Sequence, residues 1–202
     1  MIALARVAAY DILTAVSRRR ADLPDAIAHA RGTLRDDRDK ALAAEIATGV
    51  QRWRAALDHL IVHFSKRPLD RLDTEVVEIL RLSAYQLLHL TRVPSAAVVD
   101  DAVNLTGRVG KRSASGLVNA VLRALSRARK NLPLPSRPAD PGDVRAAIDY
   151  FTITLSHPEW LVSRWHRRHG FEATEQWLRF NNTAAPLKIG RASCRERVYD
   201  LV

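Results

Sequence analysis

Lys111, Arg112, Arg123 and Arg127 have the types and the spacing to hold a run of phosphates. They fall in the stretch from Ala102 to Ala139, which contains no Asp or Glu and also carries Arg108, Arg129, Lys130 and Arg137. Arg123 and Arg127 are four residues apart, so on a helix they share a face. Lys111 and Arg112 precede that helix, near amide N–H groups that also favour phosphate. A field of one sign fixed to a rigid element gathers polyanions. An ordinary solvated face uses the same residue types, and for any one side chain the two readings stand level. As a set with no acid among them, they favour the anion. Asn119 lies within the apolar run Leu117-Val-Asn-Ala-Val-Leu-Arg123. Its amide reads as a partner for a neighbouring loop, with direct contact to RNA as the other reading.

Other combinations carry less. Trp53, between Arg52 and Arg54, could stack on a base, although a half-buried packing role is the commoner use of such a residue. Trp160, Trp165 and Trp177 read as packing residues. His59 and His63 have helical spacing for a shared metal, but no Cys or Glu pattern supports one, so no metal site is expected. Asp100-Asp101 has no second carboxylate that the sequence can place beside it. The single cysteine, Cys194, has no flanking motif of a nucleophile, and no Gly-x-Gly occurs among the eight glycines. No catalytic group and no cofactor site are therefore expected within this chain.

The bulk numbers agree with an anionic partner. The formal net charge is +10, and nucleic acid is the commonest ligand of so basic a domain. An Arg excess can also reflect a GC-rich genome. No run of ~18 apolar residues occurs, so no membrane span is expected. A lone cysteine and the lack of a secretory signal pattern point to the cytoplasm.

The elements that must position these side chains are helices. Leu4, Ala8, Ile12 and Ala15 space one apolar face before Arg18-Arg19-Arg20. A short helix follows Leu23-Pro24-Asp25, and another begins near Asp37 and reaches Gly49, a position for a kink or for close packing. A further helix runs from Gln51 to Pro68. The segment Asp73 to Leu90 leaves only a narrow polar stripe at Glu78, Arg81 and Tyr85, so other helices must surround it. Val93-Pro94-Ser95 opens the next helix, Gly107 and Gly110 bracket a turn, and Leu117, Val118, Val121, Leu122 and Leu125 form the last core face. No segment before 130 alternates with period two. Residues 131–142 form a linker, because Pro133, Pro135, Pro138 and Pro141 exclude a helix. Residues 143–155 fit either a helix or, through Phe151, Ile153 and Leu155, a short strand. Ser156-His-Pro-Glu159 has capping-box spacing for a helix that stops near Gly170.

Five motifs in order carry a resemblance. Gly49-Val-Gln-Arg-Trp53 with Leu57-Asp58, Ile79-Leu-Arg-Leu-Ser-Ala-Tyr-Gln-Leu87, Val93-Pro-Ser-Ala-Ala-Val-Val-Asp100 and Leu117-Val-Asn-Ala-Val-Leu-Arg123 resemble the NusB-like RNA-binding domain. The likeness continues through Leu155-Ser-His-Pro-Glu-Trp-Leu161 and Asn181-Asn182 with Pro186-Leu187, as in 16S rRNA cytosine-C5 methyltransferases of the RsmB/Sun type. The resemblance implies an all-α NusB-like bundle over 1–130, a Pro-rich linker over 131–142, and the start of an incomplete α+β second region over 143–187. It implies RNA, specifically 16S rRNA, as partner. It places S-adenosylmethionine and the paired catalytic cysteines in a C-terminal domain that this chain lacks, so the fragment is expected to be inactive.

Carried over residue by residue, the candidate RNA contacts are Arg6, Arg52, Lys111, Arg112, Asn119, Arg123 and Arg127. Arg6 matches a basic position on the first helix, where the antitermination factor of the same family often has several arginines. The alternative is such a factor, binding RNA beside a ribosomal protein; it ends soon after the bundle, whereas this chain continues. From Lys188 the sequence departs from the pattern and resembles translated sequencing-adapter DNA, so 188–202 is expected to be a non-native tail.

Overall fold

A computed structural model describes residues 2–183; the expected tail, Cys194 and Pro186-Leu187 lie outside that range. Within it the chain runs α1 (Leu4–Ser17), α2 (Leu23–Thr33), α3 (Asp37–Arg52), α4 (Arg54–Ser65), α5 (Thr74–His89), α6 (Ser95–Arg108), α7 (Ser115–Ala128), α8 (Val144–Asp149) and α9 (Glu159–Asn181). Short 3-10 turns at Leu69–Arg71 and Arg112–Ala114 precede α5 and α7. There is no strand among the described residues.

Helix α5 is the hub. Every residue from Val76 to Leu87 is buried, and α1, α3, α4, α6 and α7 all pack around it. The polar stripe expected on α5 does not face solvent. Glu78 and Arg81 are 1% and 7% exposed and belong to an internal network. Arg81 donates to both oxygens of Asp58 on α4, at 2.6 and 2.8 Å, and to Glu78 at 2.6 Å. Ser17 of α1 donates to Glu78. Burial alone would lower the Arg81 pKa, but the bonds and charges of Asp58 and Glu78 more than reverse it. Tyr85 is pushed upward, by burial first and by its bond to Glu45 second.

Gly49 is a close-packing position, not a kink. Helix α3 continues through it, and a Cβ there would overlap the Tyr85 ring. The α3–α4 break falls instead at Trp53, whose φ and ψ are −103° and 20°. Helices α2 and α3 open on Asp22 and Asp36, whose carboxylates accept from backbone N–H groups two or three residues ahead.

The second region, over the described residues, is helical. The strand alternative for 151–155 does not form; Tyr150–Thr154 is a single π-helical turn. Phe151, Tyr150, Phe171, Val162 and Leu178 make a second, smaller core. Its polar anchor is Glu175. Burial pushes the Glu175 pKa up, but bonds from Arg137, Arg179 and Tyr150 bring it below its usual range. Gly170, at φ +74°, breaks α9 where the sequence places a stop.

The two regions are joined by more than chain continuity. His59 Nε2–H donates to the Pro133 carbonyl at 3.0 Å, and Thr154 donates to the Pro135 carbonyl at 2.6 Å. The capping box expected at Ser156 does not form. Ser156 takes φ +55°, and its hydroxyl accepts from the Ala56 N–H at 2.9 Å. That N–H is one of the unpaired donors in the first turn of α4, so a residue of the second region caps a helix of the bundle.

Candidate nucleic-acid interface

Helix α7 turns Val118, Val121, Leu122 and Leu125 inward. At 3.6 residues per turn, Gly116, Ala120, Arg123 and Arg127 then fall on the opposite side, and all four are exposed. Space around Gly116 is open. Asn119 lies half-buried beside this face and accepts from Arg123 Nε at 2.9 Å. This bond holds Arg123, and among the described residues Asn119 makes no side-chain bond to a neighbouring loop.

The candidate cations are strung out, not clustered. Arg112 stands in the 3-10 turn before α7, and Arg129 and Lys130 follow its C-terminus. At 1.5 Å per residue, the helix between them sets a line roughly 20 Å long. Among the described residues, none of Arg112, Arg123, Arg127, Arg129 and Lys130 forms an ion pair. Lys111 differs. Its ammonium pairs with Asp73 at 3.0 Å, and that bond raises its pKa. Lys111 still carries a proton at neutral pH, but Asp73 competes with any phosphate for it.

Arg6 is corrected by the structure. It is 7% exposed, in the interior between α1, α5 and α6. Its guanidinium bonds Asp101 and donates to Gln86 Oε1 at 2.7 Å, while Asp101 also accepts from the Ala3 N–H. A buried arginine whose Nε and Nη1 donors are already taken serves the fold, and little of its guanidinium faces solvent. Asp101 thereby acquires its role as well.

Arg52 ends α3 half-buried, next to the Trp53 corner. There the rings of Trp53 and Tyr85 stack on the two sides of His89, with centroids 4.9 and 5.0 Å from it and planes 21° apart in each pair. The His89 pKa is lowered by burial first and by the Arg129 guanidinium second.

Sequence reasoning missed this constellation, because its members come from the ends of α3, α5 and α7. Trp53, His89 and Arg129 border an open cleft of about 370 Å³, also lined by Leu132 and Leu134 of the linker and by Tyr150, Leu155 and Arg179 of the second region. The packing role expected for the later tryptophans holds in part. Trp165 and Trp177 meet edge to face at 5.3 Å, yet Trp177 remains 45% exposed and Trp160 69% exposed.

His63 packs edge-on against Phe64, and no group of three or more metal-ligating side chains occurs among the described residues. No helix among them is long and apolar enough to cross a membrane.

Comparison with known proteins follows this architecture. The model of the NusB family matches residues 3–127. The chain is 32% identical over 145 residues to a probable ribosomal RNA small subunit methyltransferase B of Bacillus subtilis, covering 72% of this chain and 30% of that protein. It is 32% identical over 156 residues to ribosomal RNA small subunit methyltransferase B of Pseudomonas putida, covering 77% and 33%. A probable methyltransferase of the same name from Synechocystis is 28% identical over 174 residues, covering 81% and 36%. The chain thus spans about a third of the length of the curated relatives it matches. A chain in the crystal structure of a plectonemic RNA supercoil shares the fold, with a TM-score of 0.59 and 22% identity over 63% of this chain and 95% of its own length. With an all-helical bundle around α5 and a family match over more than half its residues, the chain belongs to the NusB family.

Proposed function

We propose that the bundle is an RNA-docking module, and that it serves as the N-terminal part of an S-adenosylmethionine-dependent methyltransferase acting on cytosine C5 of 16S rRNA. The observation that carries this reading is the outer face of α7 with the turns at its two ends. There Arg112, Arg123, Arg127, Arg129 and Lys130 lie along one element with no carboxylate bound to them. Unpaired guanidinium groups keep their donors for phosphate oxygens and lose only water on binding. The module supplies affinity and orientation; the bond-making groups and the cofactor belong to a catalytic domain outside this chain.

The names of the curated relatives support the methyltransferase assignment. So does the continuation past residue 127. The similarity to those relatives extends over 145 to 174 residues, and the second region is built onto the bundle through Ser156 and the linker. A free-standing antitermination factor with a ribosomal protein as partner has no use for that continuation.

The test is a filter-binding salt series with single-stranded rRNA fragments. Each lost phosphate contact reduces the slope of log affinity against log salt by about 0.7. Neutralising Arg123 and Arg127 together is expected to reduce it by about 1.4. An unchanged slope would remove α7 from the interface.

A further inference from the structure

We propose that the cleft between the bundle and the second region is a nucleobase site, which takes one unstacked base of a single-stranded RNA segment against the face of Trp53 turned away from His89 while Arg129 holds a neighbouring phosphate. The inference rests on the RNA-docking reading and gives it a base-binding component.

Several independent features meet there. The cleft volume of about 370 Å³ lies within the ~300–1,000 Å³ range of small-ligand sites. Its wall is aromatic at one end, through Trp53 and His89, and aliphatic below, through Leu57, Leu60, Leu88, Leu132 and Leu134. The aromatic wall is pre-ordered by the Trp53–His89–Tyr85 stack. Flat apolar walls favour the face of a base, whatever its identity.

Two cations line the cleft, and they differ in their partners. Arg129, just after the C-terminus of α7, forms no ion pair among the described residues and is close enough to His89 to depress its protonation. Arg179 of α9 is held in place by Glu175 at 2.9 Å and the Tyr150 hydroxyl at 2.7 Å. Glu175 is shared with Arg137, which also lies 4.0 Å from Glu172, so these two guanidinium groups are balanced by two carboxylates and Arg129 is, among the described residues, the unpaired cation of the cleft. Lys130 continues the face of Arg123 and Arg127, whereas Arg129 is about 200° around the helix axis from Arg127 and turns to the cleft. A strand that follows α7 to its C-terminus therefore passes from the outer face to the cleft through these two adjacent cations.

The site belongs to both regions. Trp53, His89 and Arg129 come from the bundle, whereas Tyr150, Thr154, Leu155 and Arg179 come from the second region. A bundle without the continuation would have the aromatic wall but not the opposite side.

The experiment uses the full chain and a fluorescent single-stranded 12-nucleotide RNA carrying one 5-iodouridine. Photocrosslinks are mapped by peptide mass spectrometry, and affinities are measured by anisotropy across a salt series. Crosslinks on the peptide containing Trp53 or His89 are expected. Trp53→Leu, which keeps an apolar side chain but removes the aromatic face, is expected to weaken binding about five-fold or more with the salt slope unchanged. Arg129→Gln is expected to reduce the slope by about 0.7.

If Trp53→Leu does not fold by circular dichroism, Arg129→Gln and the crosslink map decide. Wild-type binding by both folded variants, with crosslinks confined to α7, overturns the cleft site and leaves the docking reading standing. Weakening by the cleft variants, with no effect from neutralising Arg123 and Arg127, overturns the α7 assignment and leaves the cleft. RNA binding by no form overturns both.

Discussion

The arginines of the bundle interior and the arginines along α7 have the same chemistry and opposite roles. Arg6 and Arg81 are each about nine-tenths or more buried and bound to carboxylates from distant parts of the chain. Arg123 and Arg127 stand on an exposed face with no carboxylate attached. A positive charge becomes available to a polyanion only where the fold leaves it unpaired. The net charge of +10 is therefore a poor map of the interface, and the distribution of partners is a better one.

The largest expected effect comes from breaking the interior set. Arg81→Ala strands the buried Glu78 and the half-buried Asp58, and removal of one partner from such a network costs about 3–5 kcal/mol. Urea unfolding should show a loss of that order. Arg6→Ala should behave alike, through Asp101. At temperatures where either variant remains folded, its RNA salt slope should match the parent. A changed slope would mean that the interior set also meets RNA.

A smaller effect is expected at the joint between the regions. Ser156→Ala removes the acceptor for the Ala56 N–H, and loss of a helix cap costs about 1 kcal/mol. Hydrogen exchange should quicken at the first turn of α4 before it quickens in α5. Equal protection in variant and parent would mean that solvent replaces the hydroxyl at no cost.

Acidification should act more weakly still. Folding holds His89 and His157 below their usual pKa, in both cases through burial first. The unfolded chain then binds more protons than the folded one below about pH 6.5. The stability contribution of these rings is complete above that pH and is lost as pH falls through their folded values. The thermal midpoint should drop from pH 7 to 5.5, and by less in His89→Gln and His157→Gln. A midpoint as pH-dependent in the double variant as in the parent would assign the effect elsewhere.

Much of the fold was legible because its signals are local. The apolar faces of α1, α5 and α7 repeat at helical spacing, and four prolines mark the linker. The acid-free stretch around α7 is visible without any tertiary knowledge. The features that were misread depend on long-range pairing. Arg6 looks like a surface cation until Asp101, 95 positions away, is brought to it. Ser156 has the spacing of a local cap, yet its hydroxyl is used on Ala56, 100 positions away. Gly49 could mark a kink or a close approach, and only the arrival of Tyr85 decides between them. Phe151, Ile153 and Leu155 alternate over too few residues to separate a strand from a π-helical turn. The cleft was invisible because its lining is contributed by five separate stretches of the chain, from Trp53 to Arg179.

The central claim is that position, and not total charge, makes α7 the docking face. The most direct test compares two variants that lose the same charge. One carries Arg112, Arg123 and Arg127 changed to Gln. The other carries Arg31, Arg35 and Arg38 changed to Gln, all exposed on and around the α2–α3 turn, where the helices pack against α1. In a salt series with single-stranded rRNA, the α7 variant should lose about 2 from its slope, and the α2–α3 variant should keep nearly the parent value. Equal losses from the two variants would contradict the account and reduce the interaction to bulk charge.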